Sequence, residues 1–250
     1  MQEKLQQLKE IMAELYDLRS VFALLDWDMQ VNMPPGGAED RSNLISTISR
    51  LIHERWTADE TGKLIEELYV RLGELDPASD SAALLRKVYD EYQKKIRVPA
   101  AFMAEATRQF SLAHEVWMRA RAESNFELFR PNLERIVDLV RQYAGFFAPF
   151  DHIYDPLLNE YERGMKTADV REIFQALRPQ QVEIIQAIAA RPQVDDAFLH
   201  VSYPESEQWD FGVDVITRFG YDWNRGRQDR STHPFTTVFG LGDIRITTRF

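Results

Sequence analysis

Cysteine is absent from the 250-residue chain, so disulfides, thiolate-held zinc and a cysteine nucleophile are excluded. Basic charge is scarce. Thirty Lys and Arg stand against forty Asp and Glu, a formal net charge of −10. A nucleic-acid face needs clustered Lys and Arg, and no dense basic block occurs, so nucleic acid is not an expected partner. Long apolar runs are missing too, and none approaches the ~20 residues of a membrane helix. The opening MQEKLQQLKEIM is charged at close intervals, with no uninterrupted apolar stretch behind it, unlike a secretory leader. The expectation is a soluble cytoplasmic protein with no membrane partner. The apolar share of 44% and charged share of 28% are ordinary for a globular protein. The length admits one large domain or two small ones.

What is present is helical periodicity. Leu5, Leu8, Met12, Leu15, Leu18, Phe22 and Leu25 recur at steps of three and four, the stripe of one long helix. Met33-Pro34-Pro35-Gly36-Gly37 ends it. A second helix from about Ala38 turns Leu44, Ile48, Leu51 and Ile52 inward. Thr57-Ala58-Asp59-Glu60 reads as a capping box for a third, which Gly73 stops. Ser79 or Ser81 caps a fourth, carrying Leu84, Leu85, Val88 and Tyr92. Pro99 opens a fifth, through Phe102, Phe110 and Trp117, and Pro131 a sixth. Pro156 starts a short helix. Thr167 caps one that runs to about Ala190, kinked or split at Pro179. The last runs from Pro204 to Phe219, with Gly220 just past its end. The aromatics Trp117, Phe126, Phe129, Tyr143, Phe146 and Phe147 read as core.

After Gly220 the pattern changes. Thr236–Phe239 and Asp243–Phe250 read as strands of a hairpin through Gly240-Leu241-Gly242. The fold expected is mainly α: a single mostly helical region, residues 1–220, with a β-rich segment at 221–250. An apolar strand running to Phe250 with nothing after it to cover its edge reads either as a terminal strand paired into a sheet or, the reading favoured here, as the mark of a fragment or of a split or shortened gene, and so of an incomplete domain.

Two segments here carry chemistry. His233 precedes Pro234, which pushes it toward extended backbone. A histidine held that way either points into a cleft or hydrogen-bonds a neighbouring loop. In the final strand, alternation puts Asp243, Arg245, Thr247 and Arg249 on one face and Ile244, Ile246, Thr248 and Phe250 on the other. The second face looks like core. The first is either a cleft lining, with a guanidinium fixed by its carboxylate neighbour, or a solvated strand face.

Trp27-Asp28, Met33-Pro34-Pro35-Gly36-Gly37-Ala38-Glu39 and Arg41, His233-Pro234-Phe235, and the Asp243-x-Arg245-x-Thr247 pattern, in this order and separation, resemble signatures of the carboxypeptidase Taq family. Asp155-Pro156-Leu157-Leu158 and Gly220-Tyr221-Asp222 fit as well, so the resemblance covers essentially the whole chain. It implies the N-terminal half of a cleft-forming, gluzincin-type metallopeptidase with a small sheet along one wall. Such enzymes remove C-terminal residues from peptides with zinc (or cobalt), usually as cytoplasmic homodimers. By this resemblance His233, Asp243, Arg245 and Thr247 line the substrate cleft.

The family's HExxH motif follows the strand that carries Asp-x-Arg-x-Thr. Two His at i and i+4 reach one metal, and the Glu between them is the general base. This chain has His53, His114, His152, His200 and His233. His53-Glu54 and His114-Glu115 start like the motif, but Thr57 and Met118 stand where the second His belongs. No family zinc motif is present, so the chain alone is expected to be inactive. The competing expectation is a non-catalytic helical protein that kept the fold for peptide binding or assembly. Either way, half of a cleft exposes apolar surface, and self-association or rearranged helices are expected.

Overall fold

The computed structural model describes residues 1–250. Nine α-helices precede a three-stranded sheet, so the mainly helical class expected from periodicity is what forms. The chain divides into two units. One joins Met1–Phe146 to Asp222–Arg249, and the other is Phe147–Tyr221 with Phe250.

In the first unit, α1 (Gln2–Val31), α2 (Ala38–Thr57), α3 (Asp59–Val70) and α4 (Asp80–Lys95) enclose the core. Leu5, Leu8, Ile11 and Leu15 of α1 pack with Trp56, Ile65, Leu68, Leu85, Val88 and Tyr92. Beyond Leu15 the buried face of α1 rotates. Leu18, Phe22 and Leu25 are only half-buried, while Trp27 and Met29 are buried. Met29 meets α5 (Ala100–Ala122), where the Ser111 hydroxyl donates to its sulfur at 3.1 Å. At the end of α1, Arg41 latches the next helix. It donates to the Leu25 carbonyl at 2.7 Å and to the Asp28 carboxylate at 2.6 Å.

Several expected details differ. Leu44 and Leu51 of α2 are exposed, and its buried residues are Ser42, Ile45, His53 and Trp56. The small hydroxyl residues on α2 allow α5 a close approach: Ser46 donates to the Ala104 carbonyl at 3.0 Å, and Ser49 lies 3.1 Å from Thr107. Apolar periodicity cannot register such a polar contact face. Thr57 does not cap α3. It extends α2 and donates back to the His53 carbonyl at 2.9 Å, the local bond open to a threonine within a helix. α3 ends at Val70, and Gly73 lies in the 3-10 turn Leu72–Glu74. Ser79 does cap α4, accepting from the Ala82 N–H at 3.3 Å.

Pro131 lies inside α6 (Phe126–Gly145) rather than opening it. α5 closes with Ser124 at φ +50° and with bonds from Ser124 N–H to Arg121 and Asn125 N–H to Ala120. That left-handed closure lets the next helix begin at once, so proline costs it a single backbone bond early in its course.

The second unit holds α7 (Asp155–Leu158), α8 (Thr167–Ala189) and α9 (Glu205–Arg218). Thr167 is the first residue of α8, not its cap. Asp155 takes that part, accepting the Thr167 N–H at 2.8 Å and its hydroxyl at 2.6 Å, and Asp169 accepts the Lys166 N–H at 2.9 Å. α8 is not split at Pro179. α9 ends as its sequence says it should: Gly220 has φ +89°, and the Gly220 and Tyr221 N–H groups bond Thr217 and Ile216, the pattern that glycine permits.

The hairpin forms as expected, from β2 (Thr236–Gly240) and β3 (Asp243–Thr248). A third strand, β1 (Gly226–Arg230), pairs parallel to β3 on its other side. The sheet order is β1-β3-β2. β3 is therefore the central strand, hydrogen-bonded on both sides, and the bare edge expected of it does not exist.

Gly62 shows how tightly the first core is packed. A methyl group there would stand 2.2 Å from the Tyr92 hydroxyl oxygen. Gly62→Ala is expected to lower stability by about 1–3 kcal/mol, more than the ~1 kcal/mol of helix propensity it gains. Denaturant unfolding checks this: Tyr92→Leu in the same chain should recover part of the loss, and a stabilised Gly62→Ala would contradict the packing.

Candidate functional site

The chemistry-bearing segments of the C-terminal stretch meet the helices of the first unit at two places. The first is Trp27, 3% exposed near the end of α1. The Arg245 guanidinium lies 4.2 Å from the indole centroid and 4.8 Å from the Phe239 ring. Its edge is held by Asp243, with Nε to Oδ1 at 2.9 Å and a terminal nitrogen to Oδ2 at 2.8 Å. The planar ion thus has aromatic faces around it and a carboxylate fork at its rim, a combination open to Arg and closed to Lys. The hydrogen bonds from Arg245 hold the Asp243 carboxyl below its usual range against the opposing effect of burial, and raise the Arg245 pKa in turn.

Register brings in a second cation. Arg227 of β1 is the parallel partner of Arg245 and lies 5.1 Å from the same indole, itself forked by Asp229. Two like charges on adjacent strands repel, and here each carries its own carboxylate.

The second place is the segment 231–235. Thr247 is the one fully buried residue of β3, 8% exposed. Its hydroxyl oxygen accepts the Phe235 N–H at 2.8 Å and lies 2.7 Å from the Ser231 hydroxyl, which is 2.8 Å from the His233 carbonyl oxygen. The Thr247 N–H donates to the Phe235 carbonyl at 2.9 Å. On the other side Arg121 of α5 donates to the Thr232 carbonyl, and its guanidinium lies 5.5 Å from the Trp117 ring. Burial does not separate the two faces of β3: Asp243 and Arg245 are half-buried, as are Ile244 and Ile246, expected as core; Thr247 alone is buried and Arg249 is exposed. A guanidinium stacked on aromatics packs as an apolar group does, which side-chain polarity alone does not reveal.

His233 itself is exposed. It borders a groove of about 530 Å³ with Trp117, Arg121, Asn125, Phe126 and Phe129. A neighbouring hollow of about 370 Å³ shares Trp117 and Phe129 and reaches His114. These aromatics line open surface rather than filling the core. Of the four residues expected at a cleft, Asp243 and Arg245 pair with each other beside Trp27, Thr247 holds the 231–235 segment, and His233 borders the groove. Arg121, Ser231, Arg227 and Asp229 were not singled out from sequence. The Arg227-x-Asp229 spacing, which inverts Asp243-x-Arg245, was the available signal.

The two incomplete motif starts lie within helices α2 and α5. His53 is 5% exposed in α2, and burial lowers its pKa. His114 lies beside Asp26, and burial lowers the imidazole while raising the Asp26 and Glu115 carboxyls. No three His, Asp or Glu side chains converge as a metal site would require. The residues of this chain do not fit a catalytic metal.

The family model for carboxypeptidase Taq (M32) metallopeptidases matches residues 7–250. Carboxypeptidase 1 of Bacillus subtilis (strain 168) is 31% identical over 229 residues, covering 91% of this chain and 45% of the relative. Thermostable carboxypeptidase 1 of Thermus thermophilus is 31% identical over 255 residues, covering 98% and 50%. Among solved structures, the crystal structure of BsuCP superposes with a TM-score of 0.93 at 27% identity, over 99% of this chain and 50% of that one. The chain spans about half the length of the curated relatives it matches.

Thr247→Val keeps the volume but removes the acceptor. It is expected to cost about 1–3 kcal/mol by leaving the Phe235 N–H without its partner, with faster exchange of that amide, while Thr247→Ser stays near the parent. Unchanged Phe235 exchange in Thr247→Val would show that the hydroxyl does not hold the segment.

Proposed function

Because the chain belongs to the carboxypeptidase Taq (M32) metallopeptidase family, we propose that it forms the N-terminal part of a zinc-dependent enzyme that removes C-terminal residues from peptides. In this reading the chain supplies a cleft wall, and the metal and its general base come from the other half of the fold. The chain by itself is inactive. The observation that carries the reading is the fastening of His233-Pro234-Phe235 between Thr247 and Arg121, which leaves the His233 side chain on an aromatic-lined groove. A peptide side chain suits such a groove. Arg245, engaged by Asp243 and stacked on Trp27, acts as a positioning residue for the wall. The second reading, a non-catalytic helical protein for binding or assembly, draws on the missing metal donors.

The test is hydrolysis of a blocked dipeptide with added zinc. The probes are this chain alone and this chain fused in frame to the half of the Bacillus subtilis relative that lies outside the match. The expected result is turnover by the fusion only. In the fusion, Arg245→Ala should lower kcat/KM about 100-fold, the scale set by misplacing a catalytic wall, with metal content unchanged and little recovery in Arg245→Lys. Turnover by the chain alone would overturn the division of labour, and a fully active Arg245→Ala fusion would overturn the role of Arg245. A folded, zinc-loaded fusion without turnover would favour the second reading.

A further inference from the structure

A cavity of about 220 Å³ lies between α1, α2 and α5, inside the first unit. Met29, Ile45 and Ser111 are its buried parts, and Phe110, 43% exposed, stands at its margin. At roughly 30 Å³ per water molecule, the space holds a chain of about five to seven non-hydrogen atoms. Its walls set apolar side chains around one carboxyl that has no cation. Asp26 accepts from the Gln30 amide through Oδ2 at 2.9 Å, no Lys or Arg borders the cavity, and burial raises the Asp26 pKa. A carboxylate removed from water without a counter-charge is costly. Further acceptors stand around it. The Ser111 hydroxyl donates to the Met29 sulfur at 3.1 Å, which leaves its oxygen lone pairs to accept. His114 Nδ1 is buried without a partner. Burial favours the neutral imidazole, in which Nδ1 accepts when the ring proton is on Nε2.

We propose that this cavity binds a primary alkylammonium group, its methylene stem between Phe22, Met29, Ile45 and Phe110 and its charged head against Asp26. The chemistry of the lining selects this occupant. An anion would meet the Asp26 carboxyl. A divalent cation needs several oxygen donors, and no three acidic or histidine side chains converge. A guanidinium is matched by both oxygens of a carboxylate, and Gln30 already engages one of them. An ammonium is compact and carries three donors, which Asp26 Oδ1, Ser111 Oγ and His114 Nδ1 can accept. The Phe22 and Phe110 rings add attraction for a cation. The hollow of about 370 Å³ shares Phe110 and His114 with this cavity, and Trp117 and Phe129 with the groove at His233. A lysine of a peptide lying there and a free alkylamine therefore both present the same ligand. The choice between these sources rests on the peptidase reading above, and the binding itself does not.

The experiment follows the methyl resonances of Met29 and Ile45 in this chain as n-butylammonium is added, with 1-butanol as the uncharged probe of similar shape. Butylammonium should shift both methyls saturably, with a Kd of about 1 mM, a strength open to so small a ligand. The alcohol should bind about 10-fold more weakly, the scale of a charged hydrogen bond. Asp26→Asn, close in shape and uncharged, should abolish the preference for the amine. Phe110→Ala, at an exposed position, should weaken the amine about 3-fold by removing one ring. The peptide acetyl-Ala-Lys-Ala-amide separates the sources. Binding at least as tight as butylammonium makes a peptide lysine the ligand, binding of butylammonium alone makes it a free amine, and both support the site. Equal binding of amine and alcohol would overturn the proposal, as would an unchanged preference in a folded Asp26→Asn or the lack of any saturable shift. Binding of butylammonium beside a fusion that hydrolyses no peptide would defeat the proposed activity and leave the amine site standing.

Discussion

The stacking of one guanidinium on one indole ties the C-terminal sheet to the helices before it. Arg245 brings β3 to α1, beside the contact of β2 with α1, where Ser20 donates to the Phe239 carbonyl at 3.1 Å. The Trp27 and Phe239 rings lie beside its plane, and Asp243 holds its edge. Because β3 is the central strand, whatever fixes Arg245 also fixes β1 and β2. Two residues further along, the same face presents Thr247, whose hydroxyl sets the backbone of the His-Pro-Phe segment. A short polar strand thereby joins the contact on α1 to the backbone of the segment that carries His233. Guanidinium–aromatic contacts gain strength as water is excluded, and Trp27 is almost fully covered.

Much of the fold was legible because it rests on local rules. The extent of α1, the Ser79 cap, the Gly220 closure and the β2–β3 hairpin each follow from residues within a few positions of one another. The misreadings fall where a distant partner decides. Leu44 and Leu51 have the spacing of a buried stripe, but α5 approaches the Ser-rich face of α2 instead. Thr57 and Thr167 look like caps, but one bonds back along its own helix and the other yields the role to Asp155, twelve residues away. β1 reads Gly-Arg-Gln-Asp-Arg, with no strand composition, and exists because β3 offers it a parallel edge.

The site divides along the same line. Alternation in β3 puts Asp243, Arg245 and Thr247 on one face, but the apolar face is no more buried than this one. Periodicity treats charge as a mark of solvent, and stacking reverses that rule for Arg. Family likeness extends the view past what local rules supply, since the matched structures account for 99% of this chain and half of theirs.

The central claim is that Arg245 and Trp27 act together. A double-mutant cycle with Arg245→Gln and Trp27→Leu, read by denaturant unfolding of the first unit's core, tests it directly. The account predicts a coupling of about 1–2 kcal/mol, the range for a desolvated cation–aromatic pair in direct contact. Additive losses would mean that the sheet is held to α1 by other contacts, and that the stack is a consequence of the fold rather than its fastening.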